Sequence, residues 1–263
     1  MAILSGQVAI ITGAARGIGA GIAELLAQHG ATVLISDANA EGAAIFAAQL
    51  QAQGYSAVAQ RTDVTSAADR HALVANTLTQ FGRIDILVNN AGVLAPVTLD
   101  EMTETEWDRL MGINLKAAFF CAQAVVPTMR AAQRGRIINI ASMSARTGGL
   151  ASPMHYVTAK TGMLGLTRGL ARLVAPFGIT VNSICPGFIE TDMATVWTPE
   201  TRERLVATIP LGRFGTSHDV AGAAFFLCSP YADYVTGITL DVNGGSHIQG
   251  ALGEQQYVDG TDS

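Results

Sequence analysis

Residues 7–12 (QVAIIT) form a short apolar, β-branched run that passes straight into a glycine-rich stretch, GAARGIG at 13–19, and from there into a helical pattern, GAGIAELLAQHG. No other feature of the chain limits its fold so tightly. A strand that ends in a glycine turn and opens a helix at once exposes the first N–H groups of that helix, and the helix dipole adds to their preference for an anion. Gly13, Gly17 and Gly19 permit the tight turn and a close backbone approach to a diphosphate. The spacing is G-x-x-x-G-x-G, and the strand before it and the helix after it supply the context a phosphate-binding reading requires.

The same alternation continues along the chain. Residues 31–36 (ATVLIS) read as a second strand closing at Asp37, followed by a helix over 40–53. Residues 56–63 (SAVAQRTD) read as a third strand and 66–81 as a helix, and 84–90 (IDILVNN) as the fourth strand. A long helix is predicted over 107–133, with a kink or an end at Pro127. Residues 136–141 (RIINIA), 179–185 (ITVNSIC) and 239–242 (TLDV) complete the strands, with a helix carrying Tyr156 and Lys160 after the fifth. Repeated βα units with right-handed crossovers predict an α/β fold: a Rossmann-type doubly wound parallel sheet of about seven strands with helices on both faces. With 14% charged and 49% hydrophobic residues, the composition suits a sheet buried on both sides. A length of 263 residues without repeat, low-complexity tract or linker fits one domain, 1–263. Ligands bind beyond the carboxyl ends of such strands, where Asp37, Asp63, Asn90, Ser142 and Pro186 fall.

A net charge of −5 argues against nucleic acid or an anionic membrane as partner. The absence of a positive residue before Arg16 argues against a signal peptide. No apolar run approaches the roughly 20 residues of a membrane span. Cys121, Cys185 and Cys228 are odd in number, far apart and without C-x-x-C spacing, which predicts buried reduced thiols in a cytoplasmic protein. The five histidines are scattered, and no metal-ligand spacing occurs, so no metal is predicted.

Tyr156 and Lys160 stand one helical turn apart on the same face. A phenol has an unperturbed pKa of roughly 10 and exchanges protons poorly near neutral pH. An ammonium one turn away favours the phenolate and makes the phenol a usable acid or base. His155 points about 100° away from its neighbour on a helix, which fits pocket lining better than catalysis.

TGAARGIG at 12–19, NNAG at 89–92, Asn114 in INLKAA, Ser142 in INIAS, Tyr156 and Lys160, and PG at 186–187 together resemble the short-chain dehydrogenase/reductase family, in its short single-domain branch, over about residues 5–246. The resemblance implies that Tyr156 exchanges a proton with the substrate oxygen while hydride passes to or from a nicotinamide. Lys160 would lower the Tyr156 pKa and hydrogen-bond the nicotinamide ribose, and Asn114 would order a proton-relay water. Ser142 would hold the substrate oxygen. It stands one residue farther from Tyr156 than is usual in the family, and Ser144 is its near competitor. Gly13, Arg16, Ile18 and Gly19 would surround the diphosphate and adenosine ribose. Asp63 and Val64 would line the adenine, with Asn90, Ala91 and Gly92 behind the ribose. Pro186, Gly187, Ile189 and Thr191 would flank the nicotinamide.

Asp37, closing the second strand, would accept hydrogen bonds from both adenosine ribose hydroxyls and meet a 2′-phosphate with like charge. NAD is therefore expected over NADP, with Arg16 as a counterweight. Residues 188–216 are too long for an ordinary connection and read as a substrate lid. Residues 247–263 read as a frayed tail. Ser144, His155, Met193 and Trp197 are the substrate candidates, with Leu94, Arg146, Gly148, Ser152 and Phe188 nearby. The glycines and leucines of the Tyr156 helix, and the apolar helix before it, suit an isologous interface in a homotetramer. Three functions compete: an NAD-dependent alcohol dehydrogenase or ketone reductase for a small polyol, sugar or hydroxylated ring; a 3-oxoacyl-thioester reductase, usually NADPH-linked, that meets an acidic carrier protein through basic residues such as Arg130, Arg134 and Arg136; and a non-catalytic dinucleotide sensor. The first is the leading expectation.

Overall fold

The computed structural model describes residues 2–149, 152–191 and 198–247. Seven strands, β1 (Val8–Thr12), β2 (Thr32–Asp37), β3 (Ala57–Arg61), β4 (Ile86–Asn89), β5 (Gly135–Ile140), β6 (Ile179–Pro186) and β7 (Thr239–Val242), form one sheet. Its order is β3-β2-β1-β4-β5-β6-β7, and every neighbouring pair is parallel. The order reverses between β1 and β4, which opens the crevice where such sheets take their ligands.

Strand periodicity sorts the core into two layers. Ala9 and Ile11 of β1 pack with Ile138 and Ile140 of β5 on one face, under the helices α1 (Gly17–Gln28), α2 (Ala40–Ala52) and α9 (Ser217–Cys228). Val8 and Ile10 turn the other way and pack with Ile137 under α3 (Ala67–Phe81), α5 (Ala117–Ala131) and α7 (Met154–Val174). Side chains start several helices by accepting the N–H three residues on: Asn39 for α2, Ser66 for α3, Thr103 for α4 (Glu104–Met111) and Thr216, in a reciprocal capping box with Asp219, for α9. α1 has no side-chain cap, and Arg16 before it is extended. The donors at its start are thereby left for an anion.

The predicted helix over 107–133 is three pieces. α4 ends at Met111, a π-helical turn spans Gly112–Lys116, and α5 continues through Pro127 to Ala131. The wide turn carries Asn114 inward, where it is fully buried. Joined, Glu104–Ala131 is 28 residues long and apolar enough, by length and composition, to cross a membrane, unlike any uninterrupted apolar run in the sequence. Its apolar face is engaged within the fold: Ala117, Cys121, Val125 and Met129 are buried in the layer beneath β4 and β5. After β6, Ile189 bridges to Gly215, and α8 (Pro199–Ala207), capped by Thr198, lies in the excursion between them.

Candidate active site

The glycine turn is shaped by contacts that exclude a side chain. Gly13 has φ +63°, and a Cβ there would stand 2.8 Å from the Ala91 backbone; at Gly19 a Cβ would collide with the Gly13 carbonyl and the Asn90 amide. Thr12 organises this junction: its hydroxyl accepts from the N–H groups of Asn90 and Ala91, both at 3.1 Å. Asn90 Nδ2 donates to the carbonyls of Thr12 and Gly13 at 3.0 and 2.8 Å. Asn90 thus holds the glycine turn to the end of β4. Thr12 was not among the sequence candidates; its signal is a hydroxyl residue ending the first strand.

At the end of β2, Asp37 is fixed beside the turn. Its Oδ2 accepts from Ala15 N–H at 3.0 Å and its Oδ1 from Asn39 N–H at 2.9 Å. Asp63, beyond β3, accepts from the N–H and hydroxyl of Thr65. Val64 is buried, and its carbonyl accepts from Arg70 at 2.7 Å, with the guanidinium over the Phe120 ring. Arg70, on a helix face without a motif, is another residue the sequence did not single out. Arg16 and Ile18 sit at the start of α1, the former exposed.

Across the crevice, α7 brings Tyr156 and Lys160 together, with Nζ 5.7 Å from the phenol ring centre. Lys160 is 4% exposed and donates to the Ile140 carbonyl at 2.8 Å. A Cβ at Gly92 would stand 3.4 Å from Lys160 Nζ and 3.5 Å from Asn114 Oδ1, so these three residues adjoin. Asn114 holds the segment after NNAG, accepting from the N–H of Val93 and donating to its carbonyl, both at 2.8 Å. Ser142 lies beside Tyr156, where its hydroxyl favours the ionised phenol, and its oxygen accepts from Ser144 N–H at 3.1 Å. The Ser144 hydroxyl instead meets that of Ser152 at 2.8 Å. The Ser144 hydroxyl is thus engaged within its loop, while Ser142 stands beside Tyr156.

Burial pushes the Tyr156 phenol above its ordinary range, and the nearby Ser142 hydroxyl pulls it back in part. Burial lowers the Lys160 ammonium from 10.5 to about 8. Near neutral pH the phenol thus carries its proton and the lysine is largely charged. Cys185 lies beneath, fully buried, with its thiol raised to about 11 chiefly by burial.

The Pro186–Gly187 segment is held by Met143 N–H to the Pro186 carbonyl and Gly187 N–H to the Val242 carbonyl, both at 2.9 Å. Ile189 packs into the core. Thr191 Cγ2 would lie 3.6 Å from a Cβ on Gly17, which closes the crevice from the other side. His155 is fully buried against α4, 3.5 Å from Glu106, and does not open onto the crevice. Met193 and Trp197 lie outside the described residues, as does the tail from 248. No group of three or more potential metal ligands occurs among the described residues.

The expected basic cluster is split. Arg130 and Arg134 are exposed, Arg130 over the Phe177 ring, whereas Arg136 lies within β5, 4% exposed and paired with Asp233. Strand β5 begins there and ends at the crevice, so these arginines mark the opposite edge of the sheet.

A family model described as enoyl-(acyl carrier protein) reductase matches residues 13–247. The 3-oxoacyl-(acyl-carrier-protein) reductase FabG of Vibrio cholerae is 42% identical over 245 residues, covering 93% of this chain and 99% of the relative. The protein of the same description from Staphylococcus aureus is 40% identical, covering 91% and 98%. A crystal structure described as a putative short-chain alcohol dehydrogenase from Sinorhizobium meliloti superimposes with a TM-score of 0.88 at 39% identity, covering 92% and 97%. The reductase relatives overturn the leading expectation of a dehydrogenase for a small polyol, sugar or hydroxylated ring. Two physical reasons explain the miss. The Ser, Tyr and Lys set reports on the reacting oxygen and is blind to the rest of the substrate. A net charge of −5 is a sum over the whole surface and says nothing of the face a carrier would meet.

Proposed function

The chain belongs to the short-chain dehydrogenase/reductase family, NAD(P)-dependent oxidoreductases acting on CH–OH groups, and from that premise we propose that it reduces the 3-oxo group of an acyl thioester delivered on an acyl carrier. The observation that carries this reading is identity of about 40% to proteins named for that reaction across more than nine-tenths of the chain. The presence of Ser142 and Tyr156, half-buried, beside buried Asn114 and Lys160 opposes a merely sensing role.

A dinucleotide fits the crevice on the chain's own features: an uncapped helix start, glycines whose Cβ atoms would collide, and a fixed carboxylate at Asp37. Gly13, Arg16, Ile18 and Gly19 would hold the diphosphate side. Asp37, Asp63, Val64, Asn90, Ala91 and Gly92 would hold the adenosine side, and Pro186, Gly187, Ile189 and Thr191 the nicotinamide side. When bound, the reduced dinucleotide supplies the hydride to the carbonyl carbon. Ser142 orients the carbonyl oxygen, and Tyr156 gives that oxygen its proton, leaving a phenolate. Lys160 stabilises the phenolate until a proton returns through the Asn114 side of the pocket. A phenol that keeps its proton near neutral pH suits reduction, which needs the acid form first.

NAD(H) is the proposed preference, since Asp37 is anchored where a 2′-phosphate would meet it. The remaining proposals are one domain over 1–263, a lid at 188–216, a cytoplasmic location in keeping with three free buried thiols, and a homotetramer. Exposed Phe119 on α5 and Met154 on α7 support the tetramer as apolar surface a second copy would cover, and a monomer in light scattering would remove it. The deciding assay follows nicotinamide absorbance with 3-oxoacyl thioesters, enoyl thioesters and polyols, each with both dinucleotides. A 3-oxoacyl thioester should lead; an enoyl thioester or polyol in first place overturns the proposal.

A further inference from the structure

Ser142 begins a turn that becomes α6 (Ser144–Thr147), a helix of a single turn with no buried residue of its own. Such a segment gains little from burial, with Ala145 packed only partly buried against the core, so its position depends largely on what it is tied to. One tie is the Ser144–Ser152 hydroxyl contact. A second set, Met143 N–H to the Pro186 carbonyl at 2.9 Å and the Thr161 hydroxyl to the Ala145 carbonyl at 3.5 Å, fixes it from β6 and α7. The third is of another kind. Arg146 Nη2 donates to Asp241 Oδ2 at 3.0 Å, joining α6 to the edge strand β7 across 95 residues of sequence. The two side chains are 34% and 28% exposed. The second oxygen of Asp241, Oδ1, is buried without a hydrogen-bond partner among the described residues, so Arg146 is the counter-charge this carboxylate has.

Strand β7 does more than close the sheet. One residue beyond Asp241, the Val242 carbonyl accepts from Gly187 N–H, and a Cβ on Gly187 would stand 2.8 Å from that of Asn243. The same stretch therefore fixes the Pro186–Gly187 segment. An ion pair from Asp241 to α6 puts the Ser142 turn and that segment on a common support.

We propose that Arg146 and Asp241 are positioning residues whose ion pair sets the Ser142 hydroxyl against the Tyr156 phenol. The proposal rests on Ser142 and Tyr156 acting on the substrate oxygen. Loss of the pair lets α6 swing on its remaining ties, and the Ser142 hydroxyl then spends less time on the phenol. The nearby Ser142 hydroxyl favours the phenolate, so moving it away raises the pH at which Tyr156 titrates. The charged and titratable groups around this point are Lys160 and Cys185, and Arg146 and Asp241 themselves act on Cys185 with opposite signs, so a rise of the tyrosine limb in both single variants reports position rather than lost charge.

The test compares Arg146→Gln, Asp241→Asn, Arg146→Lys and the exchanged pair Arg146→Asp with Asp241→Arg. It uses whichever ketone the wild-type enzyme reduces, so a failed substrate assignment leaves it intact. A displacement near 1 Å can cost about 100-fold, and the other ties remain, so Arg146→Gln and Asp241→Asn should each lower kcat about 5- to 10-fold. Dinucleotide Kd should stay unchanged, and the tyrosine limb of the kcat–pH profile should rise by about half a unit, a threefold loss of preference for the phenolate. Arg146→Lys should keep at least about half of kcat, and the exchanged pair should recover most of the loss. A wild-type kcat and pH profile in both single variants overturns the proposal. So does a lower kcat with an unmoved pH profile, since that pattern, with or without a fall in Tm, marks a tie that only stabilises the fold.

Discussion

At the β5–β6 end of the crevice, Lys160 is 4% exposed and Asn114 and Cys185 are fully buried, and burial displaces the proton affinities of Tyr156 and Lys160 in opposite directions. At the β2–β3 end, Asp37 and Asp63 are half-buried carboxylates that accept from backbone N–H groups, Asp37 from Ala15 and Asn39 and Asp63 from Thr65. One end is tuned by removing water, the other by fixing charge in the open. The difference assigns separate consequences to damage. Changes at the dry end should alter rate with little effect on which dinucleotide binds; changes at the charged end should alter the choice of dinucleotide and leave the chemistry alone.

The largest effect should come from the dry end. Tyr156→Phe removes one hydroxyl at the reacting oxygen and keeps the ring, so turnover should fall about 10²–10⁴-fold while dinucleotide Kd moves less than about twofold. Single-turnover rates beside a fluorescence titration would read both. A variant that keeps a third of its rate breaks the comparison at its root. Ser142→Ala should lose more rate than Ser144→Ala, because the Ser144 hydroxyl is already engaged with Ser152.

The parts legible in the sequence are those set by local periodicity. The runs around Val8–Thr12 and Ile179–Pro186 are apolar throughout because both sheet faces are covered, and strand ends follow from where such runs stop. Asp37, Ser142 and Pro186 were placed at the crevice by that rule alone. Side-chain direction was not legible where backbone geometry departs from the ordinary helix. The π turn at Gly112–Lys116 has no composition of its own, so α4 and α5 read as one helix. His155 follows the face its helix presents to α4, and Arg136 follows the alternation of a strand buried on both faces. Pairings such as Arg146 with Asp241 join residues far apart in sequence, and nothing local announces them.

The charged end supplies the next test. If Asp37 selects the dinucleotide, wild-type kcat/KM should favour NADH over NADPH by about 10- to 150-fold, corresponding to roughly 1.5–3 kcal/mol. Full Coulomb repulsion at about 4 Å and an effective dielectric near 20 would be roughly 4 kcal/mol, and solvent reduces it. Asp37→Ala should narrow the ratio mainly by weakening NADH use, and Ala38→Arg should invert it, each without changing the pH profile of kcat. Equal use of both dinucleotides by the wild type would mean that Arg16 offsets Asp37. The charged end would then be a general anchor with no preference.

The smallest effect returns to the dry end and turns on sign. Burial lowers Lys160 from 10.5 to about 8 in the folded chain, whereas the unfolded chain keeps the ordinary value. Between those values the unfolded state binds more protons, so the Lys160 contribution to stability rises with pH across that window. Its contribution to catalysis moves the other way, because the phenolate left after proton transfer needs the charged ammonium. Between about pH 7 and pH 9 the charged fraction of a group with a pKa near 8 falls about tenfold, and the rate of ketone reduction should fall with it. Lys160→Met should turn over slowly at every pH and show neither trend: its rate should be flat across the window, and its Tm should lose the rise that the wild type shows. Parallel Tm and kcat measurements on cofactor-free and saturated enzyme would separate the two. A wild-type rate that holds to pH 9 would mean that the ammonium stays charged in the working complex, with the phenolate or the substrate oxygen supplying the electrostatic support that burial takes away. Desolvation would then describe only the resting site.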